Sequence, residues 1–337
     1  MSSQEPKVGA TVDFEAEGKH FGHLSIPHSR NDSGWGAVHL PIVSIKNGRG
    51  PTLVFTGGNH GDEYEGPIAL LKLARSLDAK EIQGRVIVIP ALNYSAVMAG
   101  TRVSPIDGAN MNRAFPGRRD GSASAMIAHF VQHKILPLCD ALMDIHSGGK
   151  TMMFSPFACY HRIPDEAVME KAKQGMLAFG APISLELVEL DAEGMIDTAV
   201  EDMGKVFIGS ELGGGGTATT ETVAIADTGV RNLLAHFGII DEKPLTRAER
   251  GLAPTRAMHM PEPGCYLIAD DRGLYEPLVD LNQPVSKGDP VGRIHFPERP
   301  EREPIVYGAG TSGILIGRAH KVLVGPGDFL GLIAHEM

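Results

Sequence analysis

The sequence predicts an α/β fold with a parallel or mixed sheet, followed by a smaller all-β region. From Pro51 onward, short β-branched runs alternate with longer helical patterns, and the strand runs are continuously apolar. Such strands, separated by amphipathic helices, are typical of a sheet covered on both faces. Past Pro244 the pattern changes to short strands separated by proline and glycine.

The elements of the first region follow each other in a regular order. Apolar runs predict strands at Thr52–Thr56, Arg85–Pro90, Ala141–Ile145 and Lys205–Ile208. Amphipathic patterns predict helices at Gly66–Leu77, Ala123–Leu136, Asp165–Phe179 and Asp227–Phe237. Residues 1–50, which end in HLPIVSIKNGRG, are predicted to be a β-rich lead-in to the sheet.

The second region contains segments such as GCYLIAD, QPVSKGDPVGRI and KVLVGPGDFLGLIA, with turn signals every eight to twelve residues and no helical stretch. This spacing is typical of a small all-β domain. A chain of 337 residues suggests two domains, or one large domain with an appendage. We expect an α/β domain at 51–245 and a C-terminal β domain at 256–337.

Composition and charge exclude several classes of protein. Hydrophobic residues at 42% and charged residues at 21% disfavour disorder, collagen and coiled coil. Lys and Arg total 31 against 41 Asp and Glu, so a net charge of -10 disfavours nucleic acid and anionic membranes as partners. Homo-oligomerisation stays open.

The chain carries no sign of export or membrane insertion. Its first twenty residues lack the basic and apolar segments of a secretory signal, and no apolar run approaches the roughly 20 residues that cross a bilayer. Cys139, Cys159 and Cys265 lie far apart, which argues against a disulfide framework or a thiolate zinc site. We therefore expect a cytoplasmic protein.

The segment GGNHGDEYEGP stands where the first strand ends and a helix begins. Ligands usually bind at the carboxyl ends of strands in open α/β sheets. His60 and Glu63 are three residues apart, so one helical turn can direct both side chains at a single cation. Alternatively, Asp62, Glu63 and Glu65 only place negative charge at a helix N-terminus. The spacing also permits Asp62 or Glu65 as the ligand.

The segment DIHSGG stands at another strand end and offers His146 as a third ligand. Two histidines and one glutamate with a free fourth position form a catalytic zinc arrangement. A lone histidine at a strand end is more often structural. Asp144 alternates with His146 and faces the same side, where its carboxylate can orient the imidazole or be paired elsewhere.

Glu211 follows the apolar run KVFIG and precedes four glycines. A desolvated carboxylate in this position suits a general base, whereas an incidental acid on a flexible loop is the alternative. A polar stretch farther upstream contains Arg102, Asn112 and Arg113. Arg113 with Asn112 can grip a substrate carboxylate, and Arg102 can hold a developing oxyanion, although surface arginines are common.

Four segments in this order, GGNHGDEYEGP, NMNRAFPG, DIHSGG and SELGGG, resemble the succinylglutamate desuccinylase and aspartoacylase family. The resemblance implies a zinc-carboxypeptidase-like mixed sheet flanked by helices, with a C-terminal barrel-sandwich-like β domain that partly covers the site. It implies one zinc ion per chain on His60, Glu63 and His146. It also implies Glu211 as general base, Arg102 as carbonyl assistant, and Asn112 with Arg113 as the carboxylate clamp.

Within the family, SPIDGANMNRAFPG and ELGGGGT are most similar to the N-acetyl-2,4-diaminobutyrate deacetylases of ectoine degradation. This implies hydrolysis of Nα-acetyl-L-2,4-diaminobutyrate to acetate and L-2,4-diaminobutyrate. Asp191, Glu193 and Asp197 are candidate partners of the substrate ammonium by position, with a solvated loop as the alternative. Asn110 stands where aspartoacylases have an acid, so the hydrogen bonds around the clamp are expected to differ.

Three alternatives remain. The same site can act on N-succinylglutamate, N-acetylaspartate or a C-terminal peptide bond. A non-catalytic binding protein on the same fold is disfavoured because all four of the residues His60, Glu63, His146 and Glu211 are present. The segment from Gln283 to Ala334 resembles a biotinyl or lipoyl carrier, but its tip, HFPERPEREP, lacks the lysine that would carry a covalent cofactor.

Overall fold

The computed structural model describes residues 5–188 and 193–337, and it confirms an α/β architecture with a mixed sheet. In the α/β part the strands are β1 (Gly9–Ala10), β2 (Gly18–Pro27), β3 (Ala37–Asn47), β4 (Thr52–Gly57), β5 (Gly84–Ile89), β6 (Ala141–His146), β7 (Met152–Phe154), β8 (Phe157–His161), β9 (Ile183–Leu187) and β10 (Val206–Glu211). The C-terminal strands are β11 (Arg256–His259), β12 (Tyr266–Ile268), β13 (Gly273–Pro277), β14 (Pro284–Val285), β15 (Pro290–His295), β16 (Ile305–Gly308), β17 (Gly313–Ala319), β18 (Leu323–Val324) and β19 (Phe329–Glu336).

The helices are α1 (Glu65–Ser76), α2 (Tyr94–Ala99), α3 (Ala123–Phe130), α4 (Glu166–Phe179), α5 (Ile196–Glu201) and α6 (Thr220–His236). Shorter 3-10 turns lie at Ala79–Glu81, Met111–Arg113, Leu136–Leu138 and Pro263–Cys265.

Two predicted helices differ from the observed ones at their ends. The helix predicted over Ala123–Leu136 is α-helical only as far as Phe130, after which it continues as a π-helical turn and a 3-10 turn that contains a proline. Proline lacks the N–H that a continuing helix requires. The helix predicted from Asp227 begins at Thr220, because Thr219 and Thr222 form a reciprocal cap at its start.

The centre of the large sheet is parallel. Strands β5, β4, β6 and β10 run in the same direction, β3 is antiparallel to β5, and β8 is antiparallel to β10. Alternate side chains on these strands pack into two separate cores. Phe55 and Met143 contact the core formed with α1, α4 and α6, while Val54 and Leu142 contact the core formed with α3 and α5.

The C-terminal strands are joined to the α/β part by main-chain hydrogen bonds. Strand β11 pairs in parallel with β9 and antiparallel with β19. Strands β16, β15, β13 and β18 form a second sheet, which encloses a core of its own against β17 and β19. The division into 1–50, 51–245 and 256–337 stays a prediction. Strand β11 pairs with β9 and with β19 and so joins the two regions in one continuous sheet.

Of the helices that the structure describes, none is at once long enough and apolar enough to cross a bilayer.

Candidate active site

The carboxyl ends of three neighbouring parallel strands meet at one edge of the sheet. In the register of β4 and β6, Gly57 stands opposite Ile145, and in that of β6 and β10, His146 stands opposite Glu211. The segment that carries His60 and Glu63 leaves the end of β4. Three of the predicted motifs therefore lie side by side.

His60 and Glu63 lie in the turn between β4 and α1, before the helix begins. Glycine is required inside this turn. A Cβ placed on Gly61 would lie 2.0 Å from the carbonyl carbon of Ala96, which is backbone and cannot move aside. The close approach to Ala96 lets the chain reverse between the two side chains, so that they converge without a helical turn.

Glu63 bridges the two histidines. Its Oε1 lies 2.7 Å from His60 Nδ1, and its Oε2 lies 2.8 Å from His146 Nδ1. The ligand atoms of the three residues are all within 4.8 Å of one another. The other two acids face elsewhere: Asp62 accepts from the Lys150 amide and Glu65 from the Thr222 hydroxyl. Of the three acids around the start of α1, Glu63 is therefore the one placed to bind a cation with both histidines.

The second nitrogen of each ring is also held. His146 Nε2 lies 2.7 Å from Asp144 Oδ2, and His60 Nε2 lies 3.1 Å from Asn110 Oδ1. Both partners are acceptors, so each Nε2 donates its hydrogen. In neutral rings both Nδ1 atoms then present lone pairs to the Glu63 carboxylate. Lone pairs that are directed at one another suit a divalent cation. Two imidazole nitrogens and a carboxylate are ligands that fit zinc.

Buried charge shifts the pKa of two of these groups strongly. Burial alone would raise the pKa of Glu63, but the charges of His60 and His146 outweigh it and bring the pKa far below its ordinary value. Burial would likewise lower the pKa of His146, yet Asp144 and Glu63 raise it well above the ordinary value. In the cation-free site Glu63 is therefore ionised and His146 keeps a second proton, which a bound cation would displace.

Glu211 lies beside the cluster without belonging to it. Burial, and after it the charge of Glu63, raise the pKa of Glu211 to about 8. Its Oε2 is buried, and no donor among the described residues reaches it. A desolvated carboxylate with an unused acceptor can take up a proton from a bound molecule.

The structure brings the other three predicted residues to the same cavity. Arg102 Nη1 donates to Glu63 Oε1 over 3.4 Å. Asn112 Oδ1 accepts from the side chain of Asn59 and from the amide of Ile196, and Arg113 Nη1 donates to the carbonyl of Asn112. The carboxylate clamp of Asn112 with Arg113 and the oxyanion contact of Arg102 stay predictions, but all three side chains line the cavity that contains the histidines.

This cavity has a volume of about 280 Å³. Its lining includes Asp197 and residues that the sequence analysis did not indicate, among them His161, Tyr266 and Leu332. Asp197 was a candidate by position only, Glu193 is exposed, and Asp191 lies outside the described residues. Tyr266 and Leu332 come from β12 and β19, so the C-terminal strands form part of the cavity wall.

Residues 49–237 match the family model described as the succinylglutamate desuccinylase/aspartoacylase catalytic domain. The chain is 43% identical over 327 residues to the N-alpha-acetyl-L-2,4-diaminobutyric acid deacetylase of Halomonas elongata, an alignment that covers 97% of this chain and 94% of that protein.

Solved structures agree in fold. The product-bound ectoine utilization protein EutE (DoeB) of Ruegeria pomeroyi superposes with a TM-score of 0.94 at 44% identity, over 98% of this chain and 99% of that one. A succinylglutamate desuccinylase of a Silicibacter species gives a TM-score of 0.93 at 44% identity, over 99% and 100%. The chain belongs to the succinylglutamate desuccinylase/aspartoacylase family.

Proposed function

We propose that the protein is a metal-dependent amidohydrolase that cleaves the amide of an N-acyl amino acid. Its proposed substrate is Nα-acetyl-L-2,4-diaminobutyrate, in the degradation of ectoine. One water molecule adds across the amide, the carbon–nitrogen bond breaks, and acetate and L-2,4-diaminobutyrate are released. All three cysteines are buried thiols, which agrees with the reducing cytoplasm that we propose as its location.

The observation that carries the proposal is the juxtaposition of a cation site and an unused buried carboxylate. His60, Glu63 and His146 form the site, and Glu211 stands opposite His146 on the adjacent strand. Both open into one cavity. A cation site and a desolvated base that face the same small cavity suit the hydrolysis of a small amide.

The proposed metal is zinc, one ion per chain, held by His60, Glu63 and His146. When bound there, zinc supplies a Lewis acid that polarises the acyl carbonyl and makes water more acidic. Glu211 accepts the proton of the attacking water and returns it to the leaving amine, so the same carboxyl acts first as base and then as acid.

The three polar side chains around the cavity position the substrate. Arg102, whose guanidinium already contacts Glu63, donates to the acyl oxygen as negative charge develops on it. Arg113 and Asn112 hold the α-carboxylate, which fixes the amide in place and lowers the entropic part of the barrier. Because Asn112 Oδ1 is engaged by Asn59 and Ile196, its orientation is set before substrate arrives.

The names of two relatives support this choice of substrate and pathway. The Halomonas protein is named for deacetylation of N-alpha-acetyl-L-2,4-diaminobutyric acid, and the Ruegeria protein for ectoine utilization. Both alignments cover more than nine tenths of each chain. The similarity therefore includes the C-terminal strands that supply Tyr266 and Leu332 to the cavity.

A second candidate is desuccinylation of N-succinylglutamate. It is favoured by the Silicibacter structure, which has the same identity to this chain and is named a succinylglutamate desuccinylase. That substrate carries additional carboxylates, each of which needs a cationic or donor partner. Among the described residues that line the cavity, the guanidinium groups are those of Arg102 and Arg113. Each already has a proposed role in either reaction, so neither is left to bind an additional carboxylate.

The test is hydrolysis of three substrates side by side: Nα-acetyl-L-2,4-diaminobutyrate, N-acetylaspartate and N-succinylglutamate. Each is measured before chelation, after chelation and after zinc is restored, with bound metal assayed on the same sample. We expect acetate release from the first substrate alone, lost on chelation and recovered with zinc.

Other outcomes would correct specific parts of the proposal. Preference for N-succinylglutamate or N-acetylaspartate would retain the hydrolase and replace the substrate. Full turnover in a sample shown to be free of metal would remove the metal from the reaction.

A further inference from the structure

Asp197, which the sequence offered by position as one of three candidate partners of the substrate ammonium, lines the cavity. It lies in the first turn of α5, its side chain is 7% exposed, and it lines the same cavity as His60 and Glu211. An acid that is nine-tenths buried costs free energy unless something compensates its charge. The Asp197 carboxylate therefore needs a partner that offsets its charge.

The other two acids that line the cavity are already assigned. Asp144 accepts hydrogen bonds from Thr56 and Asn59 in addition to its contact with His146. Glu211 is the proposed general base. Asp197 is therefore the remaining carboxylate in the described lining, and it has no part in the hydrolysis itself.

Among the described residues, donors reach one oxygen of the Asp197 carboxylate and none reaches the other. Oδ1 accepts from the amide of Thr198 at 2.5 Å and from its hydroxyl at 3.2 Å. Both bonds end on Oδ1, so within the described chain Oδ2 keeps its capacity to accept. The helix start fixes the carboxylate in place, which prepares its second oxygen for a donor from the cavity.

The surroundings of Asp197 favour a cationic ligand. Burial raises the pKa of the Asp197 carboxyl above its ordinary value, and the charge of His161 only partly offsets that rise. A cationic ligand would favour the ionised carboxylate further. The Nδ1 atom of His161 lies 3.0 Å from Glu201 Oε1, and the His161 ring stacks on Phe207. The neighbouring wall is apolar and contains Leu187, Met195 and Phe207. A carboxylate in such a wall binds an ammonium strongly, because little water competes with it.

We propose that Asp197 binds the side-chain ammonium of the substrate and thereby selects diaminobutyrate among N-acyl amino acids. This inference rests on the proposed function, which supplies the acetylated diaminobutyrate. The α-carboxylate at Arg113 and the amide at the cation site fix two points of the substrate, and Asp197 provides the third. The same charge repels the side-chain carboxylate of N-acetylaspartate.

The test compares two substrates in the intact enzyme. Nα-acetyl-L-norvaline has a methyl group where Nα-acetyl-L-2,4-diaminobutyrate has its ammonium, and the two molecules are otherwise of similar shape. We expect Asp197→Asn to lower kcat/KM for the diaminobutyrate substrate roughly 30-fold or more, mainly through KM, because a buried charged partner is lost. The kcat/KM for the norvaline substrate should stay equal or rise, because asparagine keeps the acceptor for Thr198 and removes the buried charge.

Two matched variants serve as controls. Glu193→Gln removes an exposed acid from the same segment and should leave both substrates unaffected. Asp191→Asn removes a second acid from that segment. Equal losses on both substrates in Asp197→Asn would show a structural role and overturn the inference. So would an unchanged preference for the ammonium, or a selective loss in Asp191→Asn alone.

The outcome for the wild-type enzyme separates this inference from the proposed function. Cleavage of N-succinylglutamate without cleavage of the diaminobutyrate substrate would refute the proposed function and the inference with it. Cleavage of the diaminobutyrate and norvaline substrates at equal efficiency would retain the hydrolase and refute the ammonium site alone.

Discussion

Acidic side chains differ in exposure between the site edge of the central sheet, where β4, β6 and β10 end, and the C-terminal β region. At the site edge, Glu63 and Asp144 are 2% and 0% exposed, and both contact His146. In the C-terminal region, the side chain of Glu276 is 42% exposed and that of Glu336 is 61% exposed, although each is paired with an arginine.

This difference in burial shows where the fold contains charges that lower its stability and are kept for function. An exposed ion pair contributes little to stability and costs little, so its presence says nothing about chemistry. Several carboxylates buried within reach of two imidazoles are costly unless they bind a cation or a substrate. We therefore expect substitutions at the site edge to change catalysis strongly and those in the C-terminal strands to change it weakly.

The largest effect is expected for Glu211→Gln. Glutamine keeps the size of the side chain but cannot accept the proton of water, so kcat should fall by about 10³-fold, within the usual range for general acid–base groups. The measurement is the steady-state rate on the diaminobutyrate substrate, together with bound zinc on the same sample.

Zinc content is the control for this variant, since Glu211 is not among the three proposed ligands. Turnover within tenfold of the wild type would exclude Glu211 as the base. Loss of zinc together with activity would make Glu211 a ligand and not a base.

Asp144→Asn should have a smaller effect. The amide still fills the space beside His146 but no longer offers a negative charge, so the ring is oriented less firmly and binds metal more weakly. Zinc affinity or activity should fall by about 10- to 100-fold. A competition titration with a chelating indicator measures the affinity.

Asp140→Asn is the matched control, because Asp140 precedes the other end of β6 and accepts from the amide of Thr52. It should leave zinc affinity unchanged. Equal weakening in both variants would trace the effect to the strand and not to the contact with His146.

Leu332→Ala tests the part of the cavity wall that the C-terminal region supplies. Leu332 is 5% exposed and packs in the core that contains Phe154 and Phe157. Its truncation should lower the free energy of unfolding by about 2 kcal/mol, the lower end for a buried leucine because one side faces the cavity. We expect kcat/KM to change only a few-fold.

Leu274→Ala is the control in the same region, since Leu274 is 40% exposed and its loss should change stability by about 0.5 kcal/mol or less. Chemical denaturation measures both variants. A loss of kcat in Leu332→Ala as large as that in Glu211→Gln would contradict the contrast between the two regions.

The sequence contained enough to predict the sheet and the group of candidate metal ligands. Continuous apolar runs located β4, β5, β6 and β10, because strands buried on both faces need apolar side chains at every position. Their order placed the motifs at strand ends, and parallel pairing then brought His60, Glu63 and His146 together. The resemblance supplied the choice of Glu63, which spacing alone left open.

The remainder of the site depends on contacts between distant segments. Helix α5 has six residues and too few turns to show an amphipathic pattern, so the sequence offered Asp197 only as a candidate by position, with a solvated loop as the alternative. Leu332 reaches the cavity because β11 and β19 pair with each other beside β9, a register that no local signal specifies. Short helices and long-range strand pairings are where local patterns lose their predictive value.

The smallest effect is expected for Glu276→Gln. Hydrogen bonds from Arg293, and after them from His295, lower the pKa of Glu276 from its ordinary value of 4.5 to about 2. A carboxyl whose pKa is depressed by folding stabilises the fold above its unfolded pKa and loses that contribution as pH falls through the folded value. The contribution is therefore present at pH 7 and disappears between about pH 4.5 and pH 2.

Because the ion pair between Glu276 and Arg293 is solvated, the substitution of Glu276 by glutamine should shift the melting temperature by about one degree or less at pH 7. It should leave kcat unchanged. Thermal unfolding of both proteins at pH 7 and pH 4 measures the shift, which should narrow at the lower pH. A large shift, or any loss of kcat, would mean that the charge of Glu276 acts on the cavity through the C-terminal strands. The contrast between buried charge at the candidate site and exposed charge on the surface would then fail in this region of the molecule.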